Sequence, residues 1–205
     1  DIVRKNENGP LYETRRNDRK FLKFESMIIK EKFILRPWRE TDVDSLVKYA
    51  NNWNISKNLT DKFPYPYTKE NGHGFIKIAT SHLPTSIFCI EINNEAAGGI
   101  GLHFQSDIYR KNAELGYWLA EPYWGQGIMT EVIQEVVQYG FTQFQINRIF
   151  ARPFGTNTAS QRVLEKAGFR LEAKFEKTLI KNEILIDEWV YGIRRDPLST
   201  TAASS

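Results

Sequence analysis

The chain has 205 residues, 41% of them hydrophobic and 26% charged, which suits one domain with a proper core. A formal net charge of +3, spread over scattered basic residues, argues against a nucleic-acid partner. The single cysteine, Cys89, excludes an internal disulfide and a cysteine metal cluster; within the apolar run Ser86 to Ile90 it reads as a buried structural thiol.

Residues 1–26 mix charges of both signs with few apolar residues and no clear period. They read as a flexible or appended extension, with Met27 a candidate natural start. Asp1 to Lys5 lacks the apolar core of a signal peptide, and no apolar run approaches the roughly 20 residues of a membrane span. A cytoplasmic protein with no membrane partner is the expectation. The main domain is expected over 27–195, and 196–205 reads as a disordered tail.

Within the domain, residues 32–36 predict a strand, and Thr41-Asp42-Val43-Asp44 resembles a capping box. Val43, Leu46, Val47, Ala50 and Trp53 follow at helical spacing. The loop 58–67 is rich in aromatics and proline, and Thr68 can cap a second helix running to about His82. Residues 86–92 and 96–104 predict a hairpin turning at Asn93-Asn94, and 112–120 a further strand. From Ile128 to Phe141 apolar doublets recur every four residues, the wide stripe of a strong helix. A short strand is expected over 147–152, a helix over 157–167 closed by Gly168, and two strands over 170–179 and 183–193 turning at Lys181-Asn182. This pattern is that of an α/β domain: a mixed, mostly antiparallel sheet with helices on its faces.

Tyr123-Trp124-Gly125-Gln126-Gly127-Ile128-Met129 joins a strand to the strong helix. The first N–H groups of a helix have no intrahelical partner, and with the helix dipole they suit an anion such as a pyrophosphate. A plain strand-to-helix turn is the other reading. There is no Gly-Lys-Ser/Thr of a triphosphatase loop, and the third glycine and later acidic residue of a dinucleotide loop are missing. Coenzyme A is the pyrophosphate carrier that remains. The three histidines, His73, His82 and His103, form no ligand-spaced pair, so no metal is expected.

Several segments in order resemble the GNAT acetyltransferase superfamily, and within it the RimJ/RimL-like N-acetyltransferases, over about residues 32–194. They are Phe33-Ile34-Leu35-Arg36-Pro37, Phe63-Pro64-Tyr65-Pro66-Tyr67-Thr68, Ala96 to Leu102, Ala113-Glu114-Leu115-Gly116-Tyr117-Trp118-Leu119, the glycine loop, and Asn157-Thr158-Ala159-Ser160 through Phe169. Of the family's loop pattern, Gln/Arg-x-x-Gly-x-Gly/Ala, only the central Gly127 is kept; Trp124 stands first and the bulkier Met129 last. The resemblance implies a GNAT-like fold of about seven strands and about four helices.

It also implies acetyl-CoA as cosubstrate, held by backbone groups of Tyr117 and Leu119, by Trp124, by the N–H groups of Gly125, Gln126, Gly127, Ile128 and Met129, and by Asn157, whose other role is the N-cap of its helix. The acceptor would be a primary amine. A protein or peptide N-terminus leads, a polyamine or aminoglycoside is the alternative, and a non-catalytic acyl-CoA-binding module is a third reading. A homodimer is left open. Glu114 is the candidate base, because burial in an apolar strand makes a carboxylate a better base; an ion pair with Arg110 or Lys111, or a solvated strand end, is the alternative. Ser160 is the candidate acid, with water as the alternative, since the position where relatives carry a tyrosine holds Leu164. Phe63, Tyr65 and His103 are candidate acceptor-binding residues, with core packing of the aromatics and a strand-surface histidine as the alternatives.

Overall fold

The computed structural model describes residues 27–81 and 83–195. The expected extension over 1–26, the tail over 196–205 and His82 lie outside the described residues. In chain order the elements are β1 (Ile28–Ile29), β2 (Ile34–Pro37), α1 (Val43–Ala50), α2 (Trp53–Ser56), α3 (Lys69–Ala79), β3 (Ile87–Ile92) and β4 (Glu95–Phe104). Then come β5 (Asn112–Leu119), α4 (Ile128–Gln143), β6 (Arg148–Ala151), α5 (Thr158–Lys166), β7 (Arg170–Lys181) and β8 (Ile184–Arg194).

One eight-stranded sheet runs in the order β1-β2-β3-β4-β5-β6-β8-β7. Every neighbouring pair is antiparallel except β5 and β6. The strand and helix beyond the expected numbers are the two-residue β1 and the four-residue α2, both too short to carry a hydrophobic period.

Alternation along the strands divides the core into two layers. Leu35, Phe88, Ile90, Ile100, Leu102, Leu115 and Leu119 face α4 and α5, where Val132, Ile133, Val136 and Leu164 are buried against them. Cys89 and Trp118 face the other way, onto Leu46, Ile55, Tyr67 and Ile76 of the α1–α3 side. The apolar doublets of α4 are therefore the inner face of the helix, from Ile128 through Gly140.

Local signals set the element ends. The hairpin between β3 and β4 turns at Asn93 and Asn94, both at positive φ (52° and 63°). Thr68 caps α3 by accepting from the Asn71 N–H at 3.3 Å, and Gly168 follows α5 at φ 96°. The expected capping box at Thr41 and Asp44 is replaced by one two residues earlier, at Arg39 and Asp42. Asp42 accepts from the Arg39 N–H at 2.8 Å, because its carboxylate is drawn to the buried guanidinium of Arg36. Trp53 opens α2 instead of closing α1, since Asn52 caps the new helix through the Asn54 N–H.

Candidate active site

The site begins where two strands part. β6 pairs with β5 only across Asn112–Arg148, Ala113–Ile149 and Glu114–Phe150, and from Leu115 onward β5 has no neighbour on that edge. Ala120 turns its N–H to β4, bonding the Ala97 carbonyl at 2.8 Å, so the alternate residues Tyr117 and Leu119 present their backbone groups to the gap. The indole of Trp124 donates to the Leu119 carbonyl at 2.7 Å. Trp124 thereby closes one end of the free edge and leaves the Leu119 N–H and both Tyr117 groups open to a ligand.

The glycine loop reaches this gap from one side. Gly125 and Gly127 both stand at positive φ (75° and 78°), which only glycine adopts without strain. Gly127 is the residue at which α4 starts, and Thr130 is the first residue to bond back to it, at 3.1 Å. The N–H groups before Thr130 are thus left for an anion. The groove is lined by Tyr117, Trp118 and Leu119 of β5, by Trp124, Gly125, Gly127, Ile128 and Met129, and by Asn157 and Ser160 of the α5 start. Gln126 is not among these residues: its side-chain amide turns back to the Pro122 carbonyl, at 2.9 Å. Lys166 and Arg162, one turn apart on α5, add positive charge to the rim.

At the inner end, Ser160 meets a tyrosine after all. Leu164, fully buried, packs into the core, while the Tyr117 hydroxyl comes from β5 to within 2.7 Å of Ser160 Oγ. Burial pushes the Tyr117 phenol well above its ordinary range, so it stays protonated. Asn157 holds this corner by accepting from the Ser160 N–H at 3.1 Å, the capping role that the sequence allowed.

Glu114 and His103 stand on the opposite face of the sheet, on the α1–α3 side. The partner of Glu114 is Arg152, not Arg110 or Lys111. The guanidinium donates to both carboxylate oxygens, at 3.0 and 2.8 Å, and reaches Glu188 at 3.6 Å. Arg152 follows β6 as Glu114 sits in β5, so the parallel pairing brings them together across the start of the gap. Of the aromatic loop, Phe63 packs on Tyr67 and Trp118 at ring distances of 5.0 and 5.9 Å, which makes it a wall of the second core layer. Tyr67 is buried, and burial pushes its phenol up to about 12. Tyr65 stays half exposed against Trp53.

Residues 32–170 of this chain match a protein family described as an acetyltransferase (GNAT) domain. The chain belongs to this family.

The chain is 38% identical over 99 residues to the uncharacterized N-acetyltransferase YoaA of Bacillus subtilis, covering 48% of this chain and 55% of the relative. It is 28% identical over 105 residues to the ribosomal-protein-serine acetyltransferase of Escherichia coli, covering 51% of this chain and 58% of the relative. The chain thus spans little more than half the length of these curated relatives. Among solved structures, RimL, a ribosomal L7/L12 alpha-N-protein acetyltransferase in complex with coenzyme A, superposes with a TM-score of 0.74. That match covers 83% of this chain and 99% of RimL at 24% identity, a likeness of fold. The GNAT chain described here therefore has the architecture that its motifs implied.

Three features of this GNAT site were not legible in the sequence: the Tyr117 side chain at Ser160, the Arg152 pair at Glu114, and Arg162 with Lys166 at the rim. Each joins residues of different elements. Only the spacing of Arg162 and Lys166 behind Asn157, at helical period, carried a signal.

Proposed function

We propose that the chain moves an acetyl group from acetyl-CoA to a primary amine, most readily the N-terminal amine of a protein or peptide. The observation that carries this reading is the groove in which the free edge of β5 meets the unbonded N–H groups at the start of α4 and ends at Ser160. The residues fit the coenzyme. The N–H groups of Gly125 to Met129 would hold its pyrophosphate, Tyr117 and Leu119 would bond its amide-bearing arm, and Arg162 and Lys166 would meet further phosphate charge. Bound there, acetyl-CoA supplies an activated acyl group.

The protein must then accept the amine's proton, steady the oxyanion and protonate the departing sulfur. A β5 N–H at the gap serves the oxyanion. Ser160, backed by Tyr117, serves the sulfur. The amine approaches from the Glu114 face, where the carboxylate, paired with Arg152, offsets the positive charge that develops as the amine attacks. The peptide acceptor is supported by the ribosomal-protein relative. An acetyl-CoA-consuming enzyme of this kind would work in the cytoplasm, and no described helix is long and apolar enough to cross a membrane.

The test is thiol release from acetyl-CoA against N-terminal peptides, polyamines and aminoglycosides. Turnover confined to peptides is expected. Coenzyme binding by calorimetry without turnover on any acceptor would favour the non-catalytic module.

A further inference from the structure

In the β4–β5 ladder, His103 and Glu114 are register partners, and both side chains stand on the acceptor face. The next pair on that face is Gly101 and Gly116, a floor without side chains. The imidazole leans over this floor: His103 Nε2 lies 3.5 Å from where a Cβ on Gly101 would stand and 3.4 Å from one on Gly116. Gly116 belongs to the stretch of β5 that β6 leaves unpaired. A ring nitrogen therefore lies over the unpaired stretch of β5 on one face of the sheet, while the Ser160 hydroxyl lies against Tyr117 on the other. Among the described residues neither ring nitrogen of His103 has a hydrogen-bond partner. The carboxylate of Glu114, by contrast, gives both oxygens to Arg152.

We infer that His103 is the group that takes the acceptor's proton, with Glu114 as the charge that stabilises the imidazolium. The inference rests on the acetyl-transfer reading above and assigns its base. The groups that face the ring are Glu114 from β5 and Lys62 from the loop before α3, with Arg152 behind Glu114. Loss of water to the surrounding protein holds the imidazole below its ordinary pKa; Glu114 opposes this and Lys62 adds to it. The ring is thus a neutral base at pH 7.

In the step, the acceptor arrives as the free amine. Its nitrogen lone pair forms the new C–N bond at the thioester carbonyl, and the N–H proton passes to the unprotonated nitrogen of His103. The C–S bond breaks with its electron pair on sulfur, and the Ser160 hydroxyl protonates the thiolate. His103 releases its proton to solvent and Ser160 regains one, so that amine and acetyl-CoA become amide and free thiol.

The experiment measures kcat against pH at saturating acetyl-CoA and acceptor for the wild type, His103→Gln and Glu114→Gln, with coenzyme binding by calorimetry as the check on folding. His103→Gln should lower kcat by about 10²- to 10⁴-fold while coenzyme binding stays within about twofold. The wild-type rate should fall as the pH drops through the imidazole's lowered pKa, and His103→Gln should lose that limb. In His103→Ala, added imidazole should restore part of the rate. Glu114→Gln should keep the limb and move it to lower pH, because the charge that favours the imidazolium is gone while Arg152 remains. The acceptor's own titration is common to all variants. A limb retained in His103→Gln and lost in Glu114→Gln would overturn the assignment in favour of Glu114. Wild-type turnover that His103→Gln leaves unchanged would overturn it alone, whereas a wild type without turnover on any acceptor would overturn the acetyl-transfer reading and this assignment with it.

Discussion

Tyr117 faces Ser160 from another element, while Leu164, four positions along α5, is buried in the core. Its hydroxyl, 2.7 Å from Ser160 Oγ, orients the serine and can replenish its proton. Tyr117→Phe should lower kcat by about tenfold, equivalent to ~1.4 kcal/mol at the transition state, and leave the KM for acetyl-CoA unchanged. An equal rise in KM would show instead that the tyrosine shapes the groove. The stability cost should be about 1 kcal/mol, since the serine can turn to water. Cys89 is a residue with the opposite character. It is fully buried and its thiol is pushed up by burial, so a thiol reagent should modify it only on unfolding. Rapid labelling of the folded protein would contradict this.

At the scale of elements, the start of α4 depends on Gly127. A Cβ there meets nothing within 4 Å, so Gly127→Ala tests the backbone alone, at φ 78°. It should cost about 1–2 kcal/mol in thermal unfolding and weaken coenzyme binding, because the N–H groups rotate with the turn. Unchanged binding would remove the loop from the pyrophosphate site. β2 and the turn before α1 are joined by a different device. Arg36, 3% exposed, bonds both oxygens of Asp42 at 2.8 Å and also pairs with Glu91 of β3. Arg36→Met would leave two carboxylates without their cation and should destabilise by about 3–5 kcal/mol in denaturant unfolding. A loss under about 1 kcal/mol would mean that water reaches the pair.

At the scale of the molecule, the long β7–β8 hairpin returns to the loop before α3. Lys181 near its turn pairs with Asp61 at 2.7 Å, across 120 residues of sequence. The contact ties the hairpin to the aromatic loop between α2 and α3. Since the Asp61 side chain is 79% exposed, the pair should add little stability. Lys181→Met should leave the melting temperature nearly unchanged and raise the acceptor's KM by about three- to tenfold, the scale of ordering one short segment. An unaltered KM would separate the hairpin from acceptor binding.

The sequence by itself determined the elements with a period or a cap. The doublets of α4, Thr68 and Asn157 as caps, the Asn93-Asn94 turn and the glycine loop all act within a few residues, where local sterics and hydrogen bonding decide. From those elements and their motifs the fold and the place of the candidate groove were legible. The structure alone decided which side chains meet across elements: Tyr117 with Ser160, Arg152 with Glu114, and His103 over the Gly101–Gly116 floor. These contacts depend on strand register and on where β6 leaves β5, and long-range pairing of that kind leaves no mark in the spacing of one chain. That is why Glu114 could be chosen as a carboxylate in an apolar strand, while its cation and the histidine beside it appeared only once the sheet was assembled.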